Sequence, residues 1–358
     1  MTIEQTNTDP ISFFEIAFQA YTQASQQTGE AFERDYQIGP YRIRLCFASM
    51  ALAPLLMPAL EHLAQEVNAA HPPDLTVYLW DSASTATAMP PCPWDWRERG
   101  VARVETQGVV VNERIQIAAD AASGLLNMLD VQRNRAMVWI ESADRIPYHE
   151  QGSPLRNILH WWLRAREMYI LHAGAVATAQ GGALLVGKGG SGKSTAALTC
   201  LNQGWNYLSD DYCLLNFTPE PRGYSLYNSA KLHGEHIQRF PNLLGFIHNP
   251  TRLQDEKALL FLQRHIPDQI VREAAVRAVL LPRITGLVET RLQPASAIAA
   301  LQALAPSSIF QFPRAGSVEF QAISRLVQAV PCYWLDMGTE LSAIPPAIAS
   351  AIEGSVHS

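Results

Sequence analysis

The hydrophobic and polar positions in the first 166 residues change repeatedly between the period of a strand and the period of a helix. Short apolar runs predict strands, and apolar positions three or four residues apart predict helices. A small, polar, proline-rich stretch at 82–93 predicts an exposed loop. The predicted helices are Ile11–Gln26, Leu56–Val67 and Pro154–Arg166. The predicted strands are Tyr41–Phe47, Leu75–Trp80, Val101–Val104, Gly108–Val111, Ile115–Ala118 and Ala136–Ile140.

A β-hairpin is predicted at the start of the second half of the chain. The apolar segment Tyr169–Thr178 turns through 179–182 into a second apolar strand, Ala183–Val186. A helix is predicted at Thr195–Asn202, and Gly204 favours its end. Further predicted strands are Trp205–Leu208 and Tyr212–Asn216. Amphipathic helices predicted to cover the sheet are Glu273–Val279, Ala295–Ala305 and Ile323–Val330.

The sequence GKGGSGKS, residues 187–194, lies between the second hairpin strand and the helix. Glycines let backbone N–H groups turn inward around a phosphate, and the helix N-terminus adds a partial positive charge. In this pattern Lys193 reaches the phosphates and Ser194 binds magnesium. The loop therefore predicts a site for a nucleotide and Mg²⁺. The predicted nucleotide-binding residues are Gly187, Lys188, Gly189, Gly190, Ser191, Gly192, Lys193, Ser194 and Thr195.

An acidic pair, Asp210 and Asp211, follows Lys193 by seventeen and eighteen residues. One helix and one strand fill this interval, so the carboxylates are expected to return to the loop. Magnesium prefers hard oxygen ligands, and a hydroxyl nucleophile needs a base that accepts its proton. Polar strand ends also form ordinary loops, but adjacent carboxylates repel each other and favour a site that holds cations.

His172 lies on the first hairpin strand, twenty-one residues before Lys193. A histidine in an apolar strand is more often a core residue than a catalyst. Its strand is predicted to pair with the strand that leads into the glycine-rich loop, which favours a role in catalysis. Both interpretations stay open at this point.

The composition limits the classes of function. With 358 residues and 48% hydrophobic content, the chain can bury one large core or two smaller ones. A net charge of -6 with scattered lysines and arginines argues against nucleic acid as a partner. The longest apolar stretch, Met50–Leu60, is too short to span a bilayer, so we predict no membrane span and a cytoplasmic location. Five widely spaced cysteines favour buried reduced thiols over a disulfide framework or a zinc site.

The order of these motifs resembles the HPr kinase/phosphorylase family. The segments HAGAV at 172–176, GGALLVGKGGSGKSTAAL at 181–198 and YLSDDYCLL at 207–215 look most like the HPr-kinase-related serine kinases of bacterial gene clusters. The resemblance covers about Arg156 to Arg239 well and the rest of the chain weakly.

The resemblance implies an α/β fold. Residues 146–358 would form a P-loop kinase domain of the HPr kinase C-terminal or phosphoenolpyruvate carboxykinase-like type with a mixed sheet, after an α+β accessory region at 1–145. It also implies ATP-dependent phosphorylation of a serine-type hydroxyl on a peptide, a partner protein or a small metabolite. His172, Lys193 and Asp210 would be catalytic, with Asp210 as the general base, and Ser194 and Asp211 would bind Mg²⁺.

The chain departs from the family pattern after its motifs. Thr195 stands where HPr kinases usually have an acidic residue, and the glycine-rich segment with which they recognise their protein substrate is absent. This argues against HPr as the acceptor. Cations follow the acidic pair instead, and Lys231 and Arg239 are our candidates for a phosphate clamp. Later cations, of which most are expected on the surface, are Lys257, Arg283 and Arg291.

Two other functions fit the same residues. One is a nucleotide-gated subunit that binds a peptide or partner and hydrolyses ATP weakly, and the other is carboxykinase-like or phosphorolytic chemistry. The chain lacks an LSGGQ-like signature, which disfavours an ABC-type motor. The acidic pair comes too soon after Lys193 for a nucleoside-monophosphate kinase. Copies of this chain are a further candidate partner. The tryptophans at 94, 96, 161 and 162 are expected to face the core rather than to stack on a base or peptide.

Overall fold

The computed structural model describes residues 9–68, 70–93, 107–111, 114–120 and 122–354 as a mixed α/β protein. Its contacts divide it into two compact units, Met1–Pro58 with Leu63–Arg166 and Ala59–His62 with Glu167–Ser358. The chain passes from the first to the second unit after Arg166. The domains 1–145 and 146–358 that the sequence suggests stay a prediction. Among the described residues, no helix has the length and apolar character that a bilayer crossing requires.

One mixed sheet forms the centre of the first unit. Its strands are β1 Phe32–Ile38, β2 Tyr41–Phe47, β3 Ala64–Gln65, β4 Leu75–Asp81, β5 Gln107–Val111, β6 Ile115–Asp120, β7 Leu126–Asp130 and β8 Arg135–Ile140. They are ordered β3-β1-β2-β4-β8-β7-β6-β5, and the β2–β4 and β4–β8 pairs are parallel. The helices are α1 Pro10–Thr28, α2 Ala53–Leu56, α3 Ser82–Thr85, α4 Tyr148–Gly152 and α5 Arg156–Arg164.

The helix α1 forms where the apolar spacing predicts it. Asp9 accepts a hydrogen bond from the Ile11 N–H at its start, and Gly29, with φ of 64°, ends it. Its apolar face packs on Trp80, Ile117 and Met128 of the sheet. Trp161 and Trp162 of α5 are buried, as expected from the sequence. The tryptophans at 94 and 96 and the strand predicted at 101–104 lie outside the described residues.

The helix predicted at Leu56–Val67 is wrong. α2 ends at Leu56 because Pro58 has no N–H to continue the helical ladder. A 3₁₀ helix follows at Pro58–Leu63, and the segment then pairs with β1 as β3. The strands β1 and β7 were not predicted, and α3 occupies the start of the predicted loop at 82–93.

The second unit contains eleven strands among its described residues. They are β9 Tyr169–Leu171, β10 Gly174–Thr178, β11 Gly181–Leu185, β12 Asn206–Ser209, β13 Cys213–Asn216, β14 Arg222–Ser225, β15 Ser229–Leu232, β16 Ala258–Phe261, β17 Glu273–Ile284, β18 Arg291–Pro294 and β19 Cys332–Met337. The helices are α6 Lys193–Asn202, α7 Gly234–Ile237, α8 Ala297–Ile309, α9 Ser317–Ala329 and α10 Ile344–Gly354.

The strand β17 organises this unit. Its first residues pair with β14, and its later residues pair in parallel with β11 and β19. The helix predicted at Glu273–Val279 is therefore wrong. Both faces of β17 are covered: Ala278 and Leu280 belong to one apolar core with α6 and α10, and Val276 and Val279 to another with α8 and α9. A strand buried on both faces lacks the polar-apolar alternation that distinguishes strands from helices in a sequence.

Two neighbouring strands are interrupted at the same level. The segment 169–178, predicted as one strand, breaks at His172 into β9 and β10. The segment 206–216 breaks at 210–212 into β12 and β13. β10 pairs with β12 and β9 with β13, so the two interruptions face each other. Backbone N–H and C=O groups at such a break form no hydrogen bonds of the sheet ladder, so these groups and the side chains beside them can bind other groups.

The turn of the β10–β11 hairpin requires a glycine at position 181. Gly181 has φ of 136°, and a Cβ there would lie 3.1 Å from the Ala275 carbonyl oxygen and 2.5 Å from Cγ of Arg277. We expect Gly181→Ala to lower the free energy of unfolding by about 1–3 kcal/mol. The matched control is Gly245→Ala, an exposed position with no heavy atom within 4 Å, which should change it by less than about 0.5 kcal/mol. Urea denaturation of both variants checks this, and equal losses would contradict it.

Candidate active site

The glycine-rich loop connects the end of β11 to the start of α6. Val186 still donates to the Leu280 carbonyl at 2.8 Å, and the helix begins at Lys193. Gly187, Gly190 and Gly192 have φ of 144°, 80° and 105°, which side-chain-bearing residues rarely adopt. A Cβ on Gly192 would lie only 2.0 Å from Cε of Met337. The curled path of the loop therefore needs its glycines.

The loop leaves polar groups unused. Gly192 is the N-cap of α6, and no side chain caps the first N–H groups of this helix. The Ser191 hydroxyl is buried and has no hydrogen-bond partner among the described residues. Uncapped N–H groups at a helix N-terminus attract anions. The loop thus has the free donors that an anionic ligand would accept.

Lys193 is buried at the base of this loop. Its Nζ donates to the Gly187 carbonyl at 2.8 Å and the Lys188 carbonyl at 3.3 Å. Burial lowers the pKa of Lys193, while the charges of Asp210 and Asp211 oppose this shift. Lys257 adds a nearby positive charge that lowers the pKa further. A phosphate at the loop would have to replace the two carbonyls as partner of the ammonium group.

Asp210 is almost fully buried in the interruption between β12 and β13. Its Oδ2 accepts from the backbone N–H of Lys231 at 2.8 Å, and its Oδ1 is a buried atom with no hydrogen-bond partner among the described residues. Burial and the neighbouring charge of Asp211 raise the pKa of Asp210 to about 6, although the Lys231 N–H, the Ser194 side chain and Lys193 act in the other direction. A carboxyl group with this pKa can both hold and release a proton near neutral pH.

Asp211 has the opposite electrostatic environment. Its Oδ2 lies 2.9 Å from Nζ of Lys231, and its Oδ1 lies 3.3 Å from Nε2 of His172. Burial tends to raise the pKa of Asp211, but the Lys231 ammonium and the His172 ring outweigh it and hold the pKa well below the usual range. Two adjacent aspartates are thus in opposite situations: Asp210 is close to protonation, and Asp211 is firmly ionised.

A chain of hydrogen bonds orients His172. The Tyr212 hydroxyl donates to Oε1 of Gln311 at 2.5 Å, and the Gln311 amide donates to Nδ1 of His172 at 3.0 Å. The proton of the neutral imidazole then lies on Nε2, which donates to Asp211. The Tyr212 ring also lies beside the imidazole, with centroids 5.4 Å apart and ring planes tilted by 32°. In this arrangement His172 fixes the Asp211 carboxylate through Nε2.

Most residues proposed from the sequence come together here. The interruptions bring His172 beside the acidic pair, and Lys231 on β15 contacts both aspartates. Arg239 is exposed, and no contact with the acidic pair is seen within the described ranges. Arg283 pairs with Asp336, and Arg291 with Glu289.

Sequence reasoning missed Gln311 and the role of Tyr212. Gln311 follows α8, far along the chain from the motifs, and glutamine in a loop gives no signal of its function. Tyr212 directly follows the acidic pair, so its position next to the motif was the one available signal.

A dedicated metal cage is not seen in the described part of the chain, where no three histidine, cysteine or acidic side chains cluster. Magnesium at nucleotide sites is commonly bound by one or two carboxylates together with phosphate oxygens and water. The Ser194 hydroxyl and the two aspartates offer hard oxygen atoms, and Oδ1 of Asp210 accepts no hydrogen bond from the part of the chain that the structure describes. These residues therefore fit Mg²⁺ bound together with a phosphate group.

The chain is similar to a solved structure at low identity. No protein-family model matches the chain, and no curated protein matches it. Among solved structures, the Hpr(Ser) kinase/phosphatase from Coxiella burnetii is similar to it with a TM-score of 0.29 and 10% identity. The alignment covers 52% of this chain and 96% of that chain. A likeness at this level decides neither fold nor activity, so the function is inferred from the site.

The opposite states of the two aspartates predict opposite effects on stability. Because the folded protein raises the pKa of Asp210 from 3.8 to about 6, stability is lost as the pH rises between these two values, and the loss is complete above them. We expect Asp210→Asn to raise the free energy of unfolding at pH 8 by on the order of 2 kcal/mol. This gain should shrink at pH 5, where Asp210 is largely protonated.

The matched variant is Asp211→Asn, which removes a carboxylate that Lys231 and His172 keep ionised. Asp211→Asn should lower the free energy of unfolding, and the loss at pH 8 should be similar to the loss at pH 5. The reason is that the lowered pKa of Asp211 lies below both pH values. Chemical denaturation at the two pH values measures this. Destabilisation by both variants at pH 8 would contradict the assignment.

Proposed function

We propose that this protein is an ATP-dependent phosphotransferase that moves the γ-phosphate of ATP to a serine-type hydroxyl of a peptide, a partner protein or a small metabolite. The observation that carries the proposal is the juxtaposition of a glycine-rich loop, in which no side chain caps the start of α6, with an acidic pair whose pKa values are shifted in opposite directions. Phosphoryl transfer needs both parts, because the phosphates must be held and the attacking hydroxyl must lose its proton.

The loop and Lys193 would bind the phosphates. No side chain caps the first N–H groups of α6, the Ser191 hydroxyl has no hydrogen-bond partner among the described residues, and the Lys193 ammonium is close to the same loop. Lys231 and Lys257 add positive charge next to this position. Several cations near one pair of carboxylates can also stabilise the negative charge of a bound polyphosphate.

Asp210 would act as the general base. Its Oδ1 has no partner in the described structure, and its raised pKa suits a group that must take a proton from a hydroxyl near neutral pH. Asp211 is a poor base because Lys231 and His172 stabilise its ionised form. Its fixed negative charge suits a metal ligand better.

Mg²⁺ would be bound by Asp211 and Ser194, and when bound it would neutralise charge on the phosphates and so favour attack. His172 would keep the Asp211 carboxylate in place through its Nε2–H, with Gln311 and Tyr212 holding the ring. The lowered pKa of Asp211 keeps it ionised and ready to bind a cation over the whole neutral range.

Removal of the Lys193 ammonium tests phosphate binding. We expect Lys193→Ala to raise the Kd for Mg-ATP at least tenfold, since it deletes a buried positive charge at the phosphate position. The control is Arg252→Ala, which removes an exposed cation that pairs with Glu256 on the surface of the same unit and should leave the Kd within about twofold. Calorimetric titration with Mg-ATP measures both. Equal affinity of the two variants would contradict the proposed phosphate site.

Substitution of each aspartate separates base from metal ligand. Asp210→Asn should lower the rate of phosphate transfer from labelled ATP by about 10²–10⁴-fold with little change in the Mg²⁺ requirement. Asp211→Asn should raise the Mg²⁺ concentration needed for half-maximal activity. Transfer to a panel of peptides and hydroxyl metabolites, followed across a Mg²⁺ titration, provides the readout. Undiminished transfer by Asp210→Asn would exclude it as the base.

A further inference from the structure

Three parallel strands of the second unit end at the same edge of its sheet. β17 lies between β11 and β19, and all three run in one direction. The edge at the carboxyl ends of parallel strands is where α/β folds commonly bind their ligands. β11 ends at Leu185, which pairs with Leu280, but β17 continues four residues further to Ile284. The end of β17 therefore extends past the start of the glycine-rich loop.

This extension lies beside the loop at the start of α6. A Cβ on Gly192 would lie 3.6 Å from Cγ1 of Ile284 and 2.0 Å from Cε of Met337, the last residue of β19. Gly192 is the N-cap of the helix whose free N–H groups would receive the phosphates. Ile284 thus lies directly beside the proposed phosphate position.

The segment around Ile284 exposes an unusual amount of apolar side chain. Ile284, Leu287 and Val288 are 63%, 56% and 66% exposed, and they lie within five residues of one another. We call these three residues the apolar wall. Single exposed apolar residues are common on protein surfaces, but a group of them next to a binding loop is typical of a ligand surface.

Hydrogen bonds hold the backbone of the wall. Thr339 donates to the Leu287 carbonyl at 2.7 Å, and Thr285 donates to the Met337 carbonyl at 3.2 Å. The Gly338 N–H donates to Oγ1 of Thr290 at 3.1 Å. A Cβ on Gly338 would lie 2.1 Å from the Val288 carbonyl oxygen, so the two segments approach closely. A ligand that binds the wall would meet a surface that is already ordered, which lowers the entropic cost of binding.

We infer that the apolar wall binds the nucleobase of the nucleotide whose phosphates occupy the glycine-rich loop. The inference rests on the proposed function. A nucleoside triphosphate held by its phosphates must still place an aromatic base, and the wall begins at Ile284, whose Cγ1 would lie 3.6 Å from a Cβ on Gly192. The flat face of a base buries apolar side chains without requiring a hydrogen-bond partner from them. The wall contributes affinity for the nucleoside part and none for the phosphates.

Comparison of two ligands separates these contributions. Mg-ATP carries a base, whereas inorganic magnesium tripolyphosphate offers the phosphates alone. We would measure the Kd of both for the full chain and for the double variant Ile284→Ser with Leu287→Ser by calorimetric titration. The control is Ile298→Ser, which removes an isoleucine of similar exposure, 68%, on α8 of the same unit. Because these side chains are exposed, circular dichroism is expected to show all variants folded.

The double variant should raise the Kd for Mg-ATP about fivefold to tenfold, as expected for partial burial of two aliphatic side chains. Its Kd for tripolyphosphate should stay within about twofold of the unsubstituted protein, and the control should change neither. An unchanged Kd for Mg-ATP, or equal weakening of both ligands, would overturn the inference and leave the phosphate site standing. Failure of the unsubstituted protein to bind either ligand would overturn the proposed function and the inference with it.

Discussion

Two aspartates next to each other in the chain, Asp210 buried and Asp211 partly buried, lie at one interruption of a sheet, and this constraint explains the contacts around them. Burial of like charges is unfavourable unless one is neutralised or paired. The protein does both: Asp211 is paired with Lys231 and His172, while the pKa of Asp210 rises to about 6. The fold therefore holds one firm negative charge and one carboxyl group that can exchange its proton near neutral pH. We interpret this as the basis of the proposed chemistry.

The interrupted strands create the space for this pair. Where β9 gives way to β10 and β12 to β13, the sheet ladder stops, and the residues at the break turn their side chains to each other. The β15 strand then brings Lys231, whose N–H satisfies Asp210 and whose ammonium satisfies Asp211. The start of α6 adds Lys193, whose charge interacts with both aspartates. Local irregularity of the backbone is thus concentrated where the polar residues meet.

The sequence predicts that the glycine-rich loop connects a strand to a helix, that the acidic pair follows a short strand, and that a hairpin precedes the loop. These features have local signals, namely the pattern of glycines, the charges and their spacing. It fails at β17, because a strand buried on both faces lacks alternation, and at 56–67, where Pro58 ends the helix early. It also fails at Gln311, whose contact with His172 depends on the return of α8 to the sheet from far along the chain. The break at His172 could not be predicted either, because an apolar run gives no sign of where a strand changes its partner.

The most direct measurement of the central claim is the ionisation of Asp210 itself. Carbon-13 NMR of aspartate side-chain carboxyl groups, assigned with Asp210→Asn, follows each group through a pH titration. The account predicts one carboxyl signal that titrates near pH 6 and is absent from the spectrum of Asp210→Asn. The pKa of this group should fall when Mg-ATP is added, because a cation then lies beside it. Titration of Asp210 at the ordinary aspartate pKa, with no response to Mg-ATP, would contradict the account.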